Sequence, residues 1–199
     1  CAPGSIAPSA NMSACELCSK GKHAASTTAC EECKAGTYAA SEGLSQCTLC
    51  PYPLGSGSGD VTCSICKEGF YLQDPSADPD DIFKSPTEYC KPCPPNADCP
   101  DNTTLSSLVL PPGFWRASPS SAVLTECRLF GGGAKAGKTR CAGSEPRGAS
   151  RRRRMEEHPP HPSQPDTAYC ASGYKGPECQ LCAAVNHYLV DGDECKECT

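Results

Sequence analysis

The chain has 199 residues, a formal net charge of -5 and 19 cysteines, close to one residue in ten. Leu, Ile, Val and Phe together number only 24. That is too few for one packed core of this length, and the mild charge argues against both a disordered polyelectrolyte and a nucleic-acid partner. Cross-links must stand in for the missing core. With 18 Gly and 20 Pro, the composition predicts small disulfide-rich modules: mostly irregular, with short β-hairpins and little helix, in an elongated tandem repeat.

From residue 1 the cysteines are periodic. C-x-x-C occurs at Cys15/Cys18, Cys30/Cys33, Cys47/Cys50, Cys63/Cys66, Cys90/Cys93, Cys179/Cys182 and Cys195/Cys198. A glycine follows three residues after Cys1, Cys18, Cys33 and Cys66. After Cys50, in CPYPLG, it comes two places late. The repeat is therefore C-x-x-G, a small polar loop, a closing cysteine and two spacers, with starts at 1, 18, 33, 50 and 66.

This phase predicts that each opening cysteine bonds the first cysteine of the next C-x-x-C. The loops are Cys1–Cys15, Cys18–Cys30, Cys33–Cys47, Cys50–Cys63 and Cys66–Cys90. Each early glycine suits a turn with positive φ, and Tyr38, Phe70 and Tyr71, which follow one, are placed to cover the cross-link as a miniature core. Closing a 15-residue loop stabilises by roughly 3 kcal/mol in the chain-entropy account, against about 1–2 kcal/mol for ordering each residue's backbone. Neighbouring repeats must therefore support one another.

The phase carried onward gives Cys170–Cys179 and Cys182–Cys195. Cys93, Cys99, Cys127 and Cys141 remain, with Cys93–Cys99 and Cys127–Cys141 the simplest choice among three connectivities. Cys198 is left over. The start at Cys1 without methionine, and the stop just after Cys198, read as cuts through a longer protein. No apolar run approaches the roughly 18–20 residues of a membrane span.

Over 1–93 the C-x-x-G…C-x-x-C repeats resemble the short cysteine-rich repeats of the ephrin-receptor-like type. They are also similar to the first loop of tumour necrosis factor receptor modules, with KAGTYAASEGLSQCTLC the nearest match. The resemblance implies an extracellular, non-catalytic, protein-binding or spacing role. The first segment is thus residues 1–100.

Residues 101–127 read differently. Leu105–Leu110, FWRAS and AVLTEC are strand candidates, Pro111-Pro112-Gly113 is a type II turn signal, and Trp115 is the apolar anchor of a small β-meander. Phe114 and Trp115 exposed for a ligand is the rival reading. Residues 128–169 are low-complexity, with GGGAKAGKTR, RRRR and HPPHPSQP, and predict a flexible insert. Arg151 to Arg154 suit a convertase site, a polyanion patch, a solvated tail or retained non-coding sequence. His158 and His161 make a poor metal pair without a nearby cysteine.

Residues 170–199 close the chain. C-x-x-G-Y-x-G-x-x-C from Cys170 to Cys179 is similar to the last loop of EGF modules. With the C-x-x-C and loop that follow, it resembles a partial laminin-type unit, in which these cysteines pair in sequence. HYLV-DG-DEC suits a hairpin with Asp191-Gly192 in a two-residue type I′ turn. The order of segments also resembles large surface proteins of algae and other unicellular eukaryotes, which implies a membrane-anchored parent.

Three chemistries compete with architecture. CELC-x11-CEEC, Cys15 to Cys33, has near-ribbon spacing for zinc, but the pairs run on in register with their glycines. A redox C-x-x-C opens a helix, whereas Pro, Lys or Gly follows here. Asp74, Asp78, Asp80 and Asp81, and Asp191, Asp193 and Glu194, lack the spacing of a calcium loop. Asn11 and Asn102 open N-x-S/T sequons and are the glycosylation candidates. The reading is a non-enzymatic, cofactor-free extracellular segment of a cell-surface receptor-like or adhesion protein, acting as spacer, as protein-binding surface or as both, with an extracellular protein as the candidate ligand. The alternatives are a secreted matrix protein and an intracellular zinc protein.

Overall fold

The computed structural model describes residues 1–9, 14–127, 140–144, 169–190 and 194–198. Among the described residues the architecture is a series of two-stranded antiparallel hairpins clasped by nine disulfides, with two short helices. The chain divides into two compact units, Cys1–Pro92 with Pro100–Thr104, and Cys93–Cys99 with Leu105–Thr199. The segment around residue 100 is thus shared out, rather than cut once.

In the first unit one pattern recurs. The residues after the opening cysteine make a β-turn, and the strand that leaves it pairs with the two residues inside the next C-x-x-C. Ser5 faces Leu17 and Ile6 faces Glu16; Thr37 faces Leu49 and Tyr38 faces Thr48. The two spacers of C-x-x-C are therefore the return strand, except in the fourth repeat, where the register moves by one residue and Leu54 faces Cys66 while Gly55 faces Ile65. The N–H of the next opening cysteine donates to the turn glycine: Cys18 to Gly4 (3.1 Å), Cys33 to Gly21 (2.9 Å), Cys50 to Gly36 (3.0 Å). The disulfides are Cys1–Cys15, Cys18–Cys30, Cys33–Cys47, Cys50–Cys63 and Cys66–Cys90. In CPYPLG the Tyr52–Pro53 bond is cis. Pro53 stands at the third turn position, where the other repeats place glycine, and Leu54 N–H donates to Pro51 O at 2.7 Å. A type VI turn thus replaces the glycine turn.

The long Cys66–Cys90 loop holds both helices, Pro79–Lys84 and Pro86–Tyr89. Asp78 caps the first by accepting from Asp80 N–H at 2.8 Å, with Pro79 at the first helical position. These are the residues that suit a helix start. Ile82 of that helix is buried with Cys50, Leu54, Cys63, Cys66, Leu72 and Cys90, and Tyr38 and Phe70 pack against this core. Phe83 meets the Tyr38 ring edge-on at 5.4 Å. Tyr71 is buried but lies outside that cluster.

The second unit corrects the β-meander expected over residues 101–127. Leu105–Ser107 is a 3-10 turn, not a strand, and Val109 makes only an isolated bridge to Asp98. What remains is one hairpin, with Phe114 facing Glu126 and Trp115 facing Thr125. Its geometry is that of the cysteine repeats. Pro111-Pro112-Gly113-Phe114 is the turn, Gly113 has φ 95°, and Cys127 N–H donates to Gly113 O at 2.9 Å. Leu110 and Leu124 stand in register where Cys33 and Cys47 stand in the third repeat, with the same separation of 14. Residues 110–127 are a repeat with leucines in place of its cross-link.

The predicted flexible insert, residues 128–169, lies mostly outside the described residues. The described parts are ordered by burial. Arg140, Cys141 and Tyr169 are buried. Ser144 exchanges backbone bonds with the buried Leu110: Leu110 N–H donates to Ser144 Oγ at 2.7 Å, and Ser144 N–H donates to Leu110 O at 2.9 Å. A buried backbone needs such partners, and here residues from the insert supply them.

The bonds in this unit are Cys93–Cys99, Cys127–Cys141, Cys170–Cys179 and Cys182–Cys195. The last hairpin pairs His187–Val190 with Glu194–Glu197. Its register sets Val190 opposite Glu194, whereas a two-residue Asp191-Gly192 turn sets it opposite Asp193. Asp191, Gly192 and Asp193 lie outside the described residues. Asn186, with φ 61°, takes the turn-glycine role, and Cys198 N–H donates to its carbonyl at 2.6 Å.

Candidate functional site

The sulfurs of Cys15, Cys18, Cys30 and Cys33 belong to three different disulfides. Zinc takes thiolates, so the ribbon-like spacing does not gather a ligand set. His23, Cys33 and Cys47 do come together, with ligand atoms within 4.8 Å of one another. The two cysteines are bonded to each other, and His23 Nδ1 lies 3.4 Å from Cys47 Sγ. This is an imidazole packed on a disulfide. Cys198 is the one free cysteine and is exposed.

The acidic cluster in the Cys66–Cys90 loop is occupied by local structure. Asp78 is the helix cap, and Asp80 and Asp81 fill the first helical turn, where carboxylates suit the dipole. Asp74 accepts from Ser76 Oγ at 2.6 Å and Ser76 N–H at 2.9 Å. These bonds, the hydroxyl first, hold its carboxyl below the usual range. Asp191, Asp193, Asn11, Arg151 to Arg154, His158 and His161 lie outside the described residues. Asn102 is exposed, has φ 62°, and donates its N–H to Cys66 O at 2.9 Å.

Phe114 and Trp115 are half-buried, not presented to solvent. Trp115 packs on Cys127, Cys141 and Cys179. No motif or spacing singles out the next residue. Arg116, 2% exposed, donates from Nε to Tyr169 Oη at 2.6 Å and from Nη1 and Nη2 to the carbonyls of Leu105 and Ser106. Its guanidinium also lies 5.3 Å from the Tyr169 ring centre. A buried fork spent on carbonyls and a phenol is a structural clamp.

Among the described residues a groove of about 360 Å³ opens in the first unit, lined by Gly36, Thr37, Leu49, Ile65, Lys67 and Asp101 among others. Its origin lies in how repeats cover one another. Gly43 N–H donates to Cys18 O at 2.8 Å while its carbonyl lies against Gly4. Gly59 N–H donates to Cys33 O at 2.8 Å while its carbonyl lies against Gly21. Each loop thus caps the turn two repeats earlier. The Cys66–Cys90 loop, drawn into helices, breaks the series. Among the described residues no backbone N–H reaches Cys50 O, and nothing lies within 4 Å of a Cβ built on Gly36. Leu49, at the edge of this open place, is 77% exposed.

The heavy disulfide bonding marks an extracellular or secreted cysteine-rich protein. Neither a family model nor a curated protein matches the chain. Among the described residues no helix is long and apolar enough to cross a membrane.

Proposed function

We propose that the chain is a non-catalytic extracellular segment of a membrane-anchored, receptor-like or adhesion protein, serving as spacer and protein-binding surface. The observation that carries this reading is the use of eighteen of nineteen cysteines in short-range disulfides. Such bonding needs an oxidising compartment and substitutes for an apolar core. The buried polar groups, Arg116 and Tyr169, serve packing, and the acidic loop residues serve turns and caps. The open groove is a surface of the kind a protein partner uses.

Surface labelling tests the proposal. Antibody to this segment should stain intact cells that make the full-length protein. Staining only after permeabilisation, together with free thiols in the native chain, overturns it. Recovery from the medium in place of the membrane fraction assigns the segment to a secreted matrix protein instead.

A further inference from the structure

The groove at Gly36 is the third place in a series whose first and second places are filled from within the chain. We propose that it docks a loop of a partner protein centred on a glycine in the left-handed conformation, which covers Gly36 as Gly43 covers Gly4. This inference deepens the protein-binding part of the proposed function and rests on it.

The filled places define what the open one accepts. The covering residues Gly43 and Gly59 both have positive φ, 73° and 76°. Each offers an N–H to the next opening cysteine's carbonyl and lays its own carbonyl on the turn glycine. At Gly36 the same acceptor, Cys50 O, and the same bare glycine are on offer. Main-chain complementarity of this kind admits any chain that can adopt the turn.

The residue before the next repeat's opening cysteine adds selectivity. At the first place it is Leu17, whose Cδ2 is 2.9 Å from a Cβ built on Gly43, so a side chain there would have to displace the leucine as well as take a positive φ. At the second place it is Glu32, 3.5 Å from a Cβ built on Gly59. At the open place it is Leu49, the counterpart of Leu17. The occupant is therefore patterned on Glu42-Gly43-Leu44, whose glycine lies on a leucine, and not on Ser58-Gly59-Asp60, whose glycine lies on Glu32. Lys67 and Asp101 at the rim set one cation and one anion beside it.

The chain supplies its own probe. A disulfide-closed synthetic peptide of residues 33–47 carries the Glu42-Gly43-Leu44 sequence, which the groove orders on binding, and can be titrated into the ¹⁵N-labelled full chain. Saturable shifts should appear at Gly36, Leu49 and Lys67. The peptide with Gly43→Val, a β-branched residue barred from positive φ, should bind at least about tenfold more weakly, as should the Leu49→Asp chain, about 1.4 kcal/mol. Leu49 is exposed, so that variant keeps its fold, which an unchanged spectrum elsewhere verifies. Absence of saturable shifts, shifts centred away from Gly36, or equal affinity for the Gly43→Val peptide overturns the inference. If surface labelling succeeds while the peptide fails, the proposed function stands and this site does not.

Discussion

The carbonyl oxygen of Gly59 lies where a Cβ on Gly21 would stand. Gly36 has the same turn and a similar φ, 83° against 79°, with open space beside it. The pair separates two effects that glycine substitutions usually mix. Gly36→Ala should lose only the left-handed backbone penalty, about 1–2 kcal/mol. Gly21→Ala must also push the Gly59 backbone aside, which adds about 1–3 kcal/mol of overpacking. Denaturant midpoints under non-reducing conditions should rank wild type, Gly36→Ala and Gly21→Ala in that order. Equal losses would show that the second and fourth repeats do not interlock.

Arg116 and Tyr169 make the same kind of comparison in the second unit. Tyr169→Phe removes the acceptor of the 2.6 Å bond and leaves the ring under the guanidinium. A buried cationic N–H without its partner should cost about 1–3 kcal/mol. Arg116→Lys should cost at least as much, because an ammonium cannot serve Tyr169 Oη and two carbonyls from one plane. Thermal unfolding of the two variants checks both values, and a neutral Tyr169→Phe would remove the clamp from the account.

Much of the fold was legible because glycine and cysteine carry backbone information in their positions. The turn glycine marks where a hairpin begins, and the following C-x-x-C marks where its return strand lies. The readings that changed fall where other residues play those parts. Pro53 and Asn186 stand in turn-glycine positions, and Leu110 and Leu124 in cysteine positions, so a pattern written in Cys and Gly passed over them. The β-meander expected for residues 101–127 followed from scoring Leu105–Leu110 by apolar content alone. The Arg116 clamp and the groove at Gly36 depend on residues far apart in sequence, and no local spacing encodes either.

The leucine-for-cystine repeat is testable by restoring the bond. In the double variant Leu110→Cys, Leu124→Cys, the two thiols should pair with each other, as Cys33 and Cys47 do at the same separation. Closing that loop should stabilise by roughly 3 kcal/mol relative to the same variant with the new pair unformed. Peptide mapping should recover 110–124 linked. Scrambled bonds to Cys127 or Cys141 would show that the hairpin's likeness to the repeats stops at the turn.

The Asp74 turn has a pH dependence of definite sign. Its carboxylate is held by Ser76, so folding favours the charged form. That contribution is present above the ordinary carboxylate range and is lost as pH falls through the lowered folded value. The carboxyl is fully exposed, so the readout is local. The Asp74 carboxyl carbon and the Ser76 amide should titrate together, below free aspartate. Ser76→Ala should move the Asp74 midpoint up, since the hydroxyl bond is the larger cause. An unchanged midpoint would assign the shift to something other than this turn.

The cross-links themselves allow the most direct measurement. A native chain with these bonds should present one reactive thiol, Cys198, because it alone is free and exposed. Denaturation without reductant should leave that count unchanged, since bonded sulfurs do not become thiols on unfolding. Full reduction should release the rest and collapse the fold, because Leu54, Leu72 and Ile82 pack on the Cys50–Cys63 and Cys66–Cys90 bridges. Peptide mapping at acid pH, where thiolate exchange is suppressed, should find Cys33 joined to Cys47 and Cys50 to Cys63. A Cys47–Cys50 bond would cross-link the return strand onto itself and destroy the register of Thr37 with Leu49.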